Sequence, residues 1–117
     1  MPVATEIRLN RAERRLEVTF DDGSFYALPA EYLRVESPSA EVQGHSPQQR
    51  KTIAGRRHVG IMALEPVGNY AVRILFDDLH NTGIYSWDHL HQLGREQPER
   101  WRRYLDALAA RGMSREP

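Results

Sequence analysis

The stretch Asn69 to Leu93, NYAVRILFDDLHNTGIYSWDHLHQL, decides the fold, because the earlier stretch Leu16 to Leu33, LEVTFDDGSFYALPAEYL, says nearly the same thing. Aligned on Phe20-Asp21-Asp22 and Phe76-Asp77-Asp78, each reads as an alternating apolar run, an acidic turn, a second apolar run and a short helix that reaches Leu33 or Leu90. A strand that alternates apolar and polar residues has one face to bury, so two such hairpins supply either one sheet or two facing sheets.

Working outward, Thr5 to Asn10 alternates Ile7 and Leu9 with polar residues and reads as a first strand. Arg15 to Phe20 follows with Leu16, Val18 and Phe20 inward. Asp21-Asp22-Gly23-Ser24 is a tight turn in which glycine supplies a positive φ. Phe25 to Leu28 returns, and Pro29 opens a short helix to Glu36, since a helix start needs no N–H from that residue. From Ser37 to His58 the pattern stops, apart from a helical turn expected over Pro47 to Ile53. A loop this long inside a small domain is usually functional or disordered, and the scattered Val42 and Ile53 favour an ordered loop lying across the sheet.

Val59 to Leu64 is a nearly unbroken apolar run and reads as a buried strand, with Glu65 to Gly68 as the next turn. Tyr70, Val72, Ile74 and Phe76 then face inward, Asp77 to Gly83 connects, and Ile84 to Trp87 is the last strand. Ser86 or Asp88 caps a helix that Gly94 stops. A final helix from about Pro98 carries Trp101, Tyr104, Leu105 and Leu108 at helical spacing. The reading is α+β: about six mostly antiparallel strands, in two similar hairpins, with short helices and a C-terminal helix on one side, a two-layer sandwich. Residues 1–112 make one domain, and 113–117 are expected to fray.

The chain has 117 residues, enough for a single core. Lys plus Arg and Asp plus Glu are 16 each, so no global charge recruits nucleic acid or an acidic membrane. The absence of cysteine excludes disulfides, thiolate metal sites and cysteine nucleophiles. No apolar run approaches the roughly 20 residues that span a bilayer, and the N-terminus lacks the apolar segment of a signal peptide, so no membrane association and a cytoplasmic location are expected.

Few residues suggest chemistry. His89 and His91, two apart on a helix, point about 200° apart and cannot share an ion. Asp77, Asp78 and His80 in one hairpin, with His45, form the weak candidate set for a divalent cation. Against it, Asp21 and Asp22 stand in the first copy as plain turn formers, and that bland reading outweighs the metal. Ser37 and Ser39 lack the Gly-x-Ser-x-Gly turn that exposes a nucleophile. Gly55-Arg56-Arg57 lacks a phosphate-loop pattern. The basic run Arg50 to Arg57 could contact a phosphate, RNA or an acidic partner, but a solvated loop is the stronger reading and nucleic acid is not the expected partner.

Taken together, Ser37-Pro38-Ser39-Ala40-Glu41-Val42-Gln43-Gly44-His45, Val59-Gly60-Ile61, Glu65 to Arg73, Phe76-Asp77-Asp78 and Gly83 to Trp87 resemble the gamma-butyrobetaine hydroxylase-like N-terminal domain, over about residues 5 to 95. The resemblance implies a small bacterial domain that occurs alone, ahead of iron- and 2-oxoglutarate-dependent hydroxylase domains, or attached to ATPases of the iron–sulfur cluster carrier type. The hydroxylase version carries a structural zinc on three cysteines and one histidine. Here Ser37, Ser39 and Val42 match the cysteines and His80 matches the histidine, so no zinc and no cofactor are expected. The hydroxylase's catalytic iron lies in a separate domain, so no enzymatic activity carries over. The expectation is a non-catalytic accessory domain that docks to a protein partner in iron–sulfur cluster delivery or an oxygenase system. Its candidate contact residues are Arg34, Ser37, Ser39, Glu41, His45, Arg56, Arg57, Asp78 and His80. The alternatives are a metal site on His80 with Asp77 and Asp78, or weak nucleic-acid binding through Arg50 to Arg57.

Overall fold

Period-two burial builds both sheets. The computed structural model describes residues 2–44 and 50–117. Strands β1 (Ala4–Asn10), β2 (Arg15–Phe20) and β3 (Phe25–Pro29) form one antiparallel sheet with β2 in the middle. Leu16, Val18 and Phe20 of β2 are buried, while Arg15, Glu17 and Thr19 between them are only half-buried. Strands β4 (Ile61–Val67), β5 (Ala71–Phe76) and β6 (Ile84–Ser86) form a second antiparallel sheet around β5, which buries Val72, Ile74 and Phe76. Of the two arrangements open from sequence, the chain therefore adopts two three-stranded sheets. Their apolar faces share one core with Leu33 of helix α1 (Ala30–Val35) and with Leu90 and Leu93 of helix α3 (Trp87–Arg95). Helix α2 (Ala40–Gln43) lies in the long connection, and α4 (Gln97–Ala110) packs Tyr104 and Leu108 beside Val35.

The internal repeat is matched bond for bond in the two turns. Phe20 N–H donates to the Ser24 carbonyl and Gly23 N–H to that of Phe20; Phe76 N–H donates to the His80 carbonyl and Leu79 N–H to that of Phe76. Asp22 accepts from Ser24 N–H, and Asp78 from His80 N–H. Both are tight turns whose fourth residue takes left-handed backbone, Gly23 at φ 85° and Leu79 at φ 71°. The second copy thus sets a leucine where the first uses glycine.

Two buried tyrosines tie the copies together. A helix leaves its last four carbonyls without backbone partners. The Tyr85 hydroxyl donates to the Leu33 carbonyl of α1 (2.5 Å), and the Tyr32 hydroxyl of α1 donates to the Leu93 carbonyl of α3 (2.6 Å). Burial pushes both phenols above their usual range, which keeps them as donors.

Several local expectations are corrected. The fourth strand is Ile61–Val67, running through the expected turn and exposing Met62. As an edge strand it accommodates Pro66, which has no N–H to give a ladder. Tyr70 precedes β5 and is exposed, while Ala71 is buried in its place. Gly94 does not end α3. It lies in the helix where a Cβ would fall 2.3 Å from the Tyr26 ring, so close packing explains the glycine. A short helix forms at Ala40–Gln43, capped by Ser39, and residues 50–53 are irregular; the rest of the helical turn expected over Pro47 to Ile53 lies outside the described residues.

The tail is docked instead of frayed. Arg115 makes a two-pronged bond to the buried Glu31 carboxylate (2.8 and 2.7 Å) and stacks over Trp101. Gly55 N–H donates to the Ser114 carbonyl and Arg57 N–H to that of Arg115, so the last residues belong to the folded unit. No helix among the described residues is long and apolar enough to cross a membrane.

Candidate functional site

The long connection and the second hairpin meet in a polar clamp. Asp78, in the turn after β5, accepts from Arg34 Nε at 2.8 Å and from Arg56 Nε at 2.7 Å through the same oxygen. Burial raises its carboxyl, but the Arg34 bond, the His80 amide and Arg56 outweigh that and hold it below the usual carboxylate range. Arg34 is buried, and its Nη1 has no partner among the described residues.

Two residues on, His80 is buried between the hairpin and the loop. Its Nδ1 lies 2.9 Å from Glu41 Oε2 and its Nε2 2.9 Å from Ser37 Oγ. An ionised carboxylate only accepts, so Nδ1 carries the proton, and Nε2 accepts from the Ser37 hydroxyl. Burial and the Arg34 charge depress the His80 pKa; the opposing Glu41 carboxylate is largely exposed and screened, so the ring is neutral near pH 7. Ser37 Oγ also accepts from Ser39 N–H, and Ser39 Oγ caps α2 and meets Thr82 Oγ1 at 2.6 Å. Glycine at position 83 lets the hairpin close on the loop, since a Cβ would sit 2.7 Å from Ser37 Oγ and 3.0 Å from the Tyr85 ring.

Above this clamp the hairpin presents Leu79, 82% exposed and in left-handed backbone. Further along, Thr82 of the same connection and half-exposed Ile84 at the start of β6 line a shallow concavity with Pro38, Ser39, Ala40 and Glu41. Sequence reasoning passed over Leu79, Thr82 and Ile84. The one signal for Leu79 was its alignment with Gly23, the residue most at ease with a positive φ.

The structure brings Arg34, Ser37, Ser39, Glu41, Arg56, Asp78 and His80 together. Arg34, Ser37, Ser39 and His80 are buried and hold the clamp from within; Glu41 is exposed. Arg57 lies apart, exposed and paired with Glu116 of the tail. Asp77 is exposed beside Gly60. His45 lies outside the described residues. Among the described residues no three His, Asp or Glu side chains gather as a metal set. His89 packs against Tyr85, while His91 pairs with Asp22 and packs on Phe20 and Tyr26.

A family model described as gamma-butyrobetaine hydroxylase-like, N-terminal, matches residues 7–91. The chain belongs to this family. Two proteins of the same fold, each known from an NMR solution structure, are 41% and 46% identical, with TM-scores of 0.87 and 0.86; the alignments cover all of this chain and 92% and 87% of theirs. A crystal structure of a DUF971-family protein of unknown function from Acidithiobacillus ferrooxidans is 38% identical, with a TM-score of 0.65 over 78% of this chain and 91% of that one. No curated protein matches the chain. A zinc of the kind the resemblance implies for the hydroxylases does not fit the residues present here. Ser37 and Ser39 are hydrogen-bonded hydroxyls, Val42 is a buried hydrocarbon, and both nitrogens of His80 are engaged.

Proposed function

We propose that this family member is a non-catalytic docking domain that presents Leu79 to an apolar pocket on a partner protein. The observation that carries this reading is a large apolar side chain, 82% exposed, held at a hairpin tip in backbone that disfavours it. Such strain persists only where the surroundings over-determine it, and it concentrates at functional positions. The surroundings here are the Arg34–Asp78–Arg56 and Glu41–His80–Ser37 bonds at the hairpin's base. A tip fixed before binding loses little entropy on docking. Exposed Asp77 and Glu41 flank the hairpin, so the fitting pocket is apolar with a basic rim. The resemblance to domains fused to oxygenases and to iron–sulfur carrier ATPases suggests a partner in one of those systems.

The clamp also favours a structural over a catalytic role. Ser37, His80 and Glu41 stand in the bonding order of a nucleophile triad, but Ser37 is fully buried, with Gly83 closing over its Oγ, and has no room for a substrate. The test is affinity capture from native lysate, with the bound proteins identified by mass spectrometry. Wild-type chain should retain a defined partner that Leu79→Gly and Glu41→Lys chains lose. The same proteins captured equally by all three would overturn the reading.

A further inference from the structure

Away from the clamp, the structure gathers cations that are scattered in sequence. Arg100, Arg103, Ala107 and Arg111 follow one another at spacings of three, four and four, which sets the first three on one face of α4 with Arg111 at its C-terminal cap below them. That face and the segment beginning at Arg50 line a cavity of about 280 Å³ to which Lys51 adds a fifth cation. Its apolar lining is Val35, Ile53 and Ala107, and among the described residues Glu36 is its only carboxylate.

Of the five cations, Arg50 is paired with Glu36 and Arg100 with Glu96, which leaves an excess of positive charge here in a chain whose formal charge is zero. Glu36 is buried and holds Arg50, with Arg100 Nη1 at 3.6 Å, while Arg100 Nε is bonded to Glu96 at 2.9 Å. Glu36 therefore orients two guanidinium groups and neutralises one charge. Lys51, Arg103 and Arg111 have no ion pair among the described residues. The neighbouring residues His45-Ser46-Pro47-Gln48-Gln49 contain no carboxylate that could supply one. Like charges converging on a concave surface raise the potential there and attract an anion, and guanidinium groups match phosphate and carboxylate oxygens in pairs.

We infer that this cavity binds a small, multiply charged oxyanion, a compound bearing phosphate or carboxylate groups on a short apolar body. The volume lies just below the range of small-molecule sites, which begins at about 300 Å³, and so suits a small ligand. A nucleic-acid strand fits less well. The one aromatic residue of the lining, Tyr104, is buried with its hydroxyl on the Ile53 carbonyl, so no ring is open for base stacking. This inference is independent of the docking role of the Leu79 hairpin.

Isothermal titration and amide chemical-shift mapping of the full chain, at low and at physiological salt, provide the test. The probes are pyrophosphate, citrate and a single-stranded RNA oligomer. Saturable one-to-one binding of pyrophosphate, citrate or both is expected, with shifts confined to the lining: residues 35–36, 50–53 and the 100–111 face at the end of α4. Which of the two binds tells phosphate from carboxylate chemistry. Arg103→Ala should weaken binding about tenfold and Arg103→Ala with Arg111→Ala about a hundredfold, as befits the loss of charged hydrogen bonds. Arg102→Ala, an exposed arginine outside the lining, should change nothing. Absence of saturable binding, equal binding by the Arg103 variants, or binding of RNA alone would overturn the assignment. Arg103 is exposed, so its variants should keep the wild-type melting temperature and remain interpretable.

Discussion

Replacing Leu79 by glycine tests whether the hairpin tip is strained for display or built for packing. Left-handed backbone costs an L-residue about 1–2 kcal/mol, and the turn enforces it, at φ 71°. Glycine removes that cost but gives back about 0.5–1 kcal/mol through its greater freedom in the unfolded chain. With 82% of its surface exposed, Leu79 gives up little burial when removed. The net expectation is a gain of about 0.5–1 kcal/mol. At a denaturant slope of about 1.5 kcal/mol/M this raises the urea midpoint by about 0.3–0.7 M with an unchanged slope. Leu79→Ala keeps the Cβ and hence the strain, so its midpoint should stay within about 0.3 M of wild type. A Leu79→Gly midpoint at or below the wild-type value would refute the reasoning, because the leucine would then be making native contacts. The same variant, more stable yet unable to hold the partner, separates folding from function.

Other expectations follow from the core and the clamp. Tyr85→Phe leaves the buried Leu33 carbonyl without its donor and should cost about 1–3 kcal/mol in urea unfolding, as should Tyr32→Phe at Leu93. Gly94→Ala should destabilise by about 1–2 kcal/mol despite alanine's better helix propensity, because the Tyr26 ring stands where the methyl would go; a stabilised variant, read by thermal melting, would contradict that packing. Burial depresses the pKa of both His80 and His89, so the unfolded chain binds more protons than the native one in mild acid. Stability should therefore be fully present above about pH 6.5 and decline as pH falls from there toward the native values, each histidine adding at most about 1.4 kcal/mol per pH unit. His80→Gln should make the pH dependence of the urea midpoint shallower in that window by up to one proton.

The strand pattern was legible because period-two burial is local: Leu16, Val18 and Phe20, and Val72, Ile74 and Phe76, lie inside as their alternation requires. The repeat was legible too, down to the turn. Three things were not, each because its cause lies far along the chain. Gly94 reads as a helix stop until Tyr26 is placed against it. The tail reads as free until Glu31 is found waiting for Arg115 across 84 residues. Pro66 reads as a turn until β4 proves to be an edge. The site residues were picked out by resemblance, yet their burial was not foreseeable. A serine, a histidine and an arginine in a polar loop look like surface until the hairpin folds over them. The cationic cavity was hidden for the same reason, its arginines divided between a loop and a helix that separately look solvated.

The central claim is that a neutral His80, hydrogen-bonded to Glu41 and Ser37, acts with the Arg34–Asp78–Arg56 ion pairs to hold the Leu79 hairpin where the resemblance would place a zinc. Long-range proton–nitrogen correlation of the imidazole nitrogens, from pH 5 to 8 and with or without added zinc, tests it most directly. The account predicts that at pH 7 and above His80 carries its proton on Nδ1, that its pKa lies below that of a free histidine, and that zinc leaves the spectrum unchanged. A zinc-dependent shift of either His80 nitrogen, or a pKa above 6.5, would contradict it.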